Sequence, residues 1–394
     1  MKKSRPKKRI CILIEARAVY QRAPDGSLVK ADVPPCVQTI SPLPQTIEDV
    51  HQEVLMSGAV IYPGCRDVRG AAVVIVFCRH PAWRMEYFTS QELAKILLYY
   101  YTVPRKDISD KGLTVIADAR GTTPPVLNAF LETLYTVQAN QPGTIYISHV
   151  LADRVAQSLL FRSPVFRPQV NLRIDLVMSV ETLYKFVSPE HLPLELGGYL
   201  QNNNVSWVHF RFKLERFLKQ CRNVGEQLVH LMQEMSTLEC LPATAPDASH
   251  QVELHKQCVA EALESDTVVS LKEQGHSVLS SLNTHQHDLA ENEDFRSSLH
   301  AAEHLYSQVQ DTAVKLSNLA KDHLHRLETC NQRHLLEIQM SKSVATECRS
   351  ARLTSGSGPV YKQWINGNMG TRLGMLVGSG DFIALIEMLE LGAA

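Results

Sequence analysis

From Phe210 to Leu238 apolar side chains recur at alternating steps of four and three residues, among them Leu214, Phe217, Cys221, Val224, Leu228, Leu231 and Met235. That spacing lays them along one stripe of an α-helix, and such a stripe is stable in water only when other helices cover it. A second seam with the same steps runs from Phe295 through Ala302, Tyr306, Val309, Leu316, Ala320, His323 and Leu327 to Cys330. Between the two, Val252 to about His285 carries Leu254, Cys258, Leu271, Val278 and Leu282. Gly275 weakens that helix by about 1 kcal/mol relative to alanine. Residues 241–250 hold two prolines and form a loop. Three long helices joined by short loops predict an all-α, up-down-up bundle.

The first half of the chain is patterned differently. Ala71–Cys78 is a continuous apolar run of the kind found in strands covered on both faces. Gly112–Ala117, Thr144–Val150 and Leu172–Val177 are three more strands. Helices are predicted at Thr46–Ser57, Ser90–Thr102, Thr123–Val137 and Leu151–Phe161, with shorter ones at Val180–Phe186 and Glu190–Leu196. Pro104 stops the second of these, and Pro124 and Pro125 occupy the first turn of the third, where a missing N–H costs nothing. Alternating strands and helices predict an α/β domain with a mostly parallel sheet. Ligands of such sheets sit beyond the carboxyl ends of the strands, which draws attention to Asp118, Arg120 and Gly121. A simple turn with Asp118 as a cap accounts for the same residues. Residues 1–45 are spotted with proline and show little periodicity, so they are expected to be mostly irregular.

A formal net charge of −1 argues against a polycation built for nucleic acid. Only the first nine residues, with Lys2, Lys3, Arg5, Lys7, Lys8 and Arg9, are strongly basic. They suit a nuclear-import signal, a membrane-surface anchor or a solvated terminus. Nine scattered cysteines without a Cys-x-x-Cys pair suggest reduced thiols in a cytoplasmic protein, peripheral to membranes at most. The longest apolar run falls far short of the roughly 20 residues that span a bilayer. Metal is not expected, because His285 and His287, and likewise His323 and His325, sit two apart and therefore on different helix faces. A Gly-x-Ser-x-Gly elbow is lacking, and Gly378-Ser-Gly380 has neither a preceding strand nor the third glycine of a dinucleotide loop. The residues predict no enzyme and no cofactor.

Two groups of residues are candidates for binding. Arg154, Arg162 and Arg167, with Phe161 and Phe166 interleaved, combine phosphate-matching guanidiniums with aromatics able to enter a lipid interface. The same pattern describes a solvated amphipathic helix. Phe130, Leu134, Ile147, Leu159 and Leu160 would supply the walls of a lipid pocket, and each is also an ordinary core residue.

Four segments, in order and spacing, resemble a known family. Tyr62-Pro-Gly-Cys-Arg-Asp-Val-Arg-Gly70, followed by the Ala71–Cys78 strand, is similar to the first strand region of the CRAL-TRIO domains in Trio, kalirin and Dbl-type Rho exchange factors. Lys111–Gly121 resembles their second strand and its turn. Leu196-Gly-Gly-Tyr-Leu200, and then Trp207 with the helix through Phe217, resemble the passage into a spectrin-like repeat. The likeness spans about Leu55 to Ala345 and is strongest to the puratrophin-type branch.

The resemblance implies a CRAL-TRIO-like lipid-binding domain over 46–200 and a spectrin-like bundle over 203–346. These are preceded by an irregular basic segment (1–45) and followed by an unassigned tail (347–394). It also implies contact with phospholipid or phosphoinositide membranes. Protein partners would bind through the bundle, a Rho exchange module or a second copy among them, in Rho GTPase and actin signalling. The family's lipid-contacting residues do not transfer, since no headgroup motif aligns. Its Dbl-homology and pleckstrin-homology pair has no counterpart in this sequence. The expectation is a non-enzymatic adaptor of the exchange-factor family. The alternatives are a shortened form of an exchange factor whose catalytic domain is missing, and a soluble carrier of small hydrophobic molecules.

Overall fold

The computed structural model describes residues 11–13, 20–22, 28–30, 38–165, 172–237, 242, 244–286, 288–289 and 292–354. In chain order the first elements are β1 (Cys11–Leu13), β2 (Tyr20–Arg22), β3 (Leu28–Lys30), α1 (Gln52–Ser57), β4 (Val60–Ile61) and β5 (Val73–Phe77). Next come α2 (Ser90–Thr102), α3 (Lys106–Ser109), β6 (Leu113–Asp118), α4 (Pro124–Asn140), β7 (Ile145–Leu151), α5 (Arg154–Arg162), β8 (Arg173–Val177) and α6 (Val180–Leu183). Four long helices complete the described chain: α7 (Asn204–Thr237), α8 (Ala245–Leu263), α9 (Asp266–Asn283) and α10 (Glu293–Thr354).

The main sheet runs in the order β1-β8-β7-β6-β5-β4. The strands from β5 to β8 are parallel, and β4 and β1 close the two edges antiparallel. Each parallel step needs a crossover, which the helical segments between the strands supply. Val73 to Val76 are inaccessible to solvent, because both faces of the sheet are covered. On one face α2 packs on α4 and α4 on α5. On the other, Leu183, Val187, Leu192 and Leu196 settle on Ile75, Ile116, Leu151 and Val177 in one apolar cluster.

Residues 1–45, expected to be mostly irregular, hold three short strands among the described residues. One of them, β1, pairs with β8, and β2 and β3 make a separate two-stranded sheet. A three-residue strand is too short to show a period of two. The helix expected over Thr46–Ser57 divides into a 3₁₀ turn at Ile47–Asp49 and α1. Asp49 Oδ2 accepts from the Gln45 and Thr46 amides and closes the first turn on itself. Glu190–Leu196 is likewise two 3₁₀ turns, because Pro193 holds Leu192 extended.

The chain falls into two compact units, Met1–His230 with Leu263–Val314, and Leu231–Ala262 with Lys315–Ala394. In the first unit the α7 seam is buried from Phe210 to Leu228. Phe210 lies on Phe295 with ring centroids 4.6 Å apart, and Phe217 on Tyr306 at 5.8 Å. In the second unit Met235, Leu316, Ala320 and Leu327 are buried. His255 lies 2.9 Å from the Ala320 carbonyl through Nε2 and 3.3 Å from His323 Nδ1 through its own Nδ1. His323 thus faces another helix's histidine rather than His325, a pairing hidden from sequence spacing.

The middle arm of the expected three-helix bundle is broken into α8 and α9 at Glu264–Ser265. Ser265 stands in extended conformation at the start of α9, and Asp266 in its first turn complements the helix dipole, which favours a fresh start there.

Within the first unit, two polar clamps and an aromatic cluster tie the sheet to the long helices. Arg66 holds Asp294, which also accepts from Tyr62 Oη at 2.6 Å. Arg211 is paired with Glu215, and that carboxylate accepts from Tyr99 Oη and the Ile47 amide, both at 2.7 Å. Tyr62, Tyr100 and Trp207 pack between the clamps with ring centroids 5.3 to 5.5 Å apart.

Candidate functional site

The basic-aromatic candidate is built on α5. Asp153 starts this helix: Oδ1 accepts from the Ala156 amide at 2.7 Å, and Oδ2 from the Gly121 amide at 2.8 Å. Those backbone bonds, Ala156 first, hold the Asp153 carboxyl below its usual range. Ala156 and Leu160 turn into the core and Leu159 is half-buried. At about 100° per residue, Arg154, Val155, Ser158, Phe161 and Arg162 share the opposite face. All five are exposed, Val155 by 63% and Phe161 by 48%. Neither arginine makes an ion pair among the described residues.

The structure therefore brings three sequence candidates, Arg154, Phe161 and Arg162, onto one solvent-facing surface. Phe166 and Arg167 lie outside the described residues. Val155 was missed, although the helical angle from Arg154 and Phe161 identifies it.

The wall candidates are placed differently. Phe130, Leu134 and Leu160 are inaccessible to solvent, whereas Ile147 and Leu159 are half-buried. A cleft of about 730 Å³ in the first unit is lined by none of the five. Met56, Ile61, Phe77, Leu194 and Leu200 supply its apolar side, and Asn202, Asn203, Asn204 and Asp288 its polar side. Asp288 is engaged by Ser206 Oγ at 2.7 Å. Such an open, amide-rich cleft differs from the closed apolar chamber that a buried acyl chain requires.

The turn after β6 is closed on itself. Arg120 grips Asp118 through Nε and Nη2, both at 2.8 Å, and donates to the Glu195 carbonyl at 3.0 Å. These contacts use the groups that would otherwise face a ligand. Under the 177–200 segment His149 is buried, 3.4 Å from Asp175 and stacked on Phe186 with ring centroids 4.0 Å apart. Burial pushes the His149 imidazole below its usual pKa, and the Asp175 charge offsets part of that push. No described helix is long and apolar enough to cross a membrane.

No family model matches the chain. Among curated proteins, human pleckstrin homology domain-containing family G member 4B is 32% identical over 302 residues, covering 76% of this chain and 17% of that protein. Human puratrophin-1 is 28% identical over 281 residues, 71% of this chain and 22% of its own length. Human guanine nucleotide exchange factor DBS is 24% identical over 269 residues, 66% and 23% respectively. The chain thus spans roughly a fifth of these relatives. Identity of this extent and order reflects common descent over most of the chain.

Proposed function

We propose, from the premise that this chain is a relative of the puratrophin- and DBS-type Rho exchange-factor proteins over a non-catalytic region of them, that it works as a non-enzymatic membrane-reading regulator. Its CRAL-TRIO-like unit docks on phosphoinositide-bearing membrane, and its spectrin-like helices engage protein partners in Rho GTPase and actin signalling. The observation that carries the lipid half is the outer face of α5, where two arginines with no ion pair among the described residues flank exposed Val155 and Phe161. Guanidiniums match phosphate geometry, and apolar tips enter the acyl boundary. The core position of Phe130, Leu134 and Leu160 favours surface docking over lipid engulfment.

Flotation of the purified chain with phosphatidylcholine vesicles, with and without phosphatidylinositol bisphosphate, tests this. Binding that requires the phosphoinositide and is lost in Arg154→Gln/Arg162→Gln supports the reading. Equal flotation of the variant, or none of the wild-type chain, overturns it.

A further inference from the structure

The cleft of about 730 Å³ lies where the sheet meets the starts of two long helices. Phe77, the last residue of β5, and Ile61 of the edge strand β4 give it an apolar side, at the carboxyl end of a parallel strand where ligands of such sheets sit. Asn203 Oδ1 accepts from the Ser206 amide at 3.0 Å in the first turn of α7. Asn292 Oδ1 accepts from the Phe295 amide at 2.9 Å in the first turn of α10.

Asn292 is the residue that points to a ligand. Its side chain packs on the backbone of Gly64, whose missing Cβ leaves the room and whose φ of +71° suits glycine. Asn292 is 4% exposed and lines the cleft, and with Oδ1 committed to α10 its Nδ2 donates to nothing among the described residues. A buried amide donor is costly unless an acceptor meets it, and the cleft is the side from which one can come. Gln201 and Asn202 line the same cleft and leave their side-chain amides unused among the described residues.

Charge narrows what the acceptor belongs to. The lining holds two carboxylates, Glu195 and Asp288, and no lysine, arginine or histidine. Arg120 takes the backbone carbonyl of Glu195 and not its carboxylate, which is exposed and makes no ion pair among the described residues. Leu194 and Val205 stand exposed on the lining, at 72% and 45%. A phosphorylated headgroup would set its charge against both acids with no cation to receive it. A polyamine would meet the acids and leave the Asn292 donor without an acceptor. A peptide meets all three demands, because its backbone offers carbonyls and N–H groups to side-chain amides while its side chains supply cation and apolar surface.

We infer that this cleft holds an extended segment of a separate protein, with a Lys or Arg side chain against Glu195, an apolar side chain on Leu194, Leu200 and Phe77, and a backbone carbonyl on Asn292 Nδ2. The inference goes beyond the membrane reading and does not depend on it, since no residue of α5 lines the cleft.

The test pans the full chain against a displayed library of short random peptides and measures the enriched sequences as free fluorescent peptides. The expected sequences carry a basic residue close to a large apolar one. Glu195→Lys weakens them about tenfold or more, because it replaces an attraction by a like-charge contact. Leu194→Ser gives a smaller loss, and both variants keep the wild-type thermal midpoint, as both side chains are exposed. Asn292→Asp keeps the acceptor for the Phe295 amide, exchanges the donor for a second acceptor and also weakens binding. Should that variant fail to fold, Glu195→Lys still decides. Hydrogen exchange shows protection around residues 199–205 in the bound chain and none along α5. No enrichment, enrichment of acidic sequences, displacement by inositol trisphosphate, or equal binding by Glu195→Lys overturns the inference. Peptide binding that survives in Arg154→Gln/Arg162→Gln while vesicle binding is lost separates the two sites. Vesicle binding without any peptide binding leaves the membrane function standing and removes this cleft.

Discussion

Arg66 grips Asp294 through both terminal guanidinium nitrogens, at 2.9 and 2.5 Å, across 228 residues of chain. Both side chains are largely withdrawn from water, at 11% and 5% exposure, and Tyr62 donates to the same carboxylate. The contact fastens the β4–β5 connection to the first turn of α10, so the sheet and the start of that helix fold as one body.

Removing one partner of such a pair strands a buried charge, which costs about 3–5 kcal/mol, whereas removing both costs less. Asp294→Asn is therefore expected to lower the denaturant midpoint strongly. Arg66→Met/Asp294→Leu should recover part of the loss. A double variant no more stable than Asp294→Asn would show that the two residues do not act as a pair.

Gly275 carries a second prediction, against helix propensity. A Cβ there would stand 2.4 Å from Tyr306 Cε2, and the Tyr306 hydroxyl reaches the Leu271 carbonyl at 3.4 Å. Alanine gains about 1 kcal/mol of propensity but overpacks the contact at about 1–3 kcal/mol. Gly275→Ala should be destabilising in wild type and stabilising when Tyr306 is replaced by leucine. Thermal melts of the two pairs decide the matter, and an alanine that stabilises both backgrounds refutes the packing argument.

That glycine also marks where sequence reading stopped. Helix α2 was legible to the residue, since Thr89 Oγ1 caps it on the Glu92 amide and Pro104 follows it. β5 and most of β6 were legible because fully covered strands are continuous apolar runs, whereas β7 and β8 stood out by their β-branched residues despite exposed Tyr146 and Arg173 and the polar Ser148, His149 and Asp175. β4 and β1 were not, being two and three residues long, below any measurable period. Tyr62, Arg66 and Asp294 are individually ordinary polar residues, and only the fold brings them together. On α5, Arg154, Phe161 and Arg162 were found by residue type, while Val155 needed the geometry of the helix face.

His149 gives the fold a pH dependence whose sign follows from burial. Its folded pKa lies below the usual 6.5, so below that pH the unfolded chain binds more protons than the folded one. This penalty is absent at pH 7.5 and grows as the pH falls through about 6.5 toward the folded value. Urea midpoints at pH 7.5 and 5.5 should fall more for wild type than for His149→Gln. Parallel falls in the two proteins would assign the dependence to other groups.

The apolar half of the α5 face can be separated from its charged half. Val155 and Phe161 are exposed, so replacing both by serine should change the folding free energy by only about 1 kcal/mol. If their tips enter the lipid interface, the lost transfer energy is on the order of 1–3 kcal/mol. That corresponds to at least a fivefold weaker partition onto phosphoinositide vesicles. Apolar transfer is not screened by salt, so this deficit should persist at high ionic strength, where the arginine contribution fades. The measurement is vesicle partition of Val155→Ser/Phe161→Ser and of Arg154→Gln/Arg162→Gln across a salt series. A serine variant that binds like wild type at every salt concentration would show that α5 touches headgroups only and that nothing on it enters the membrane.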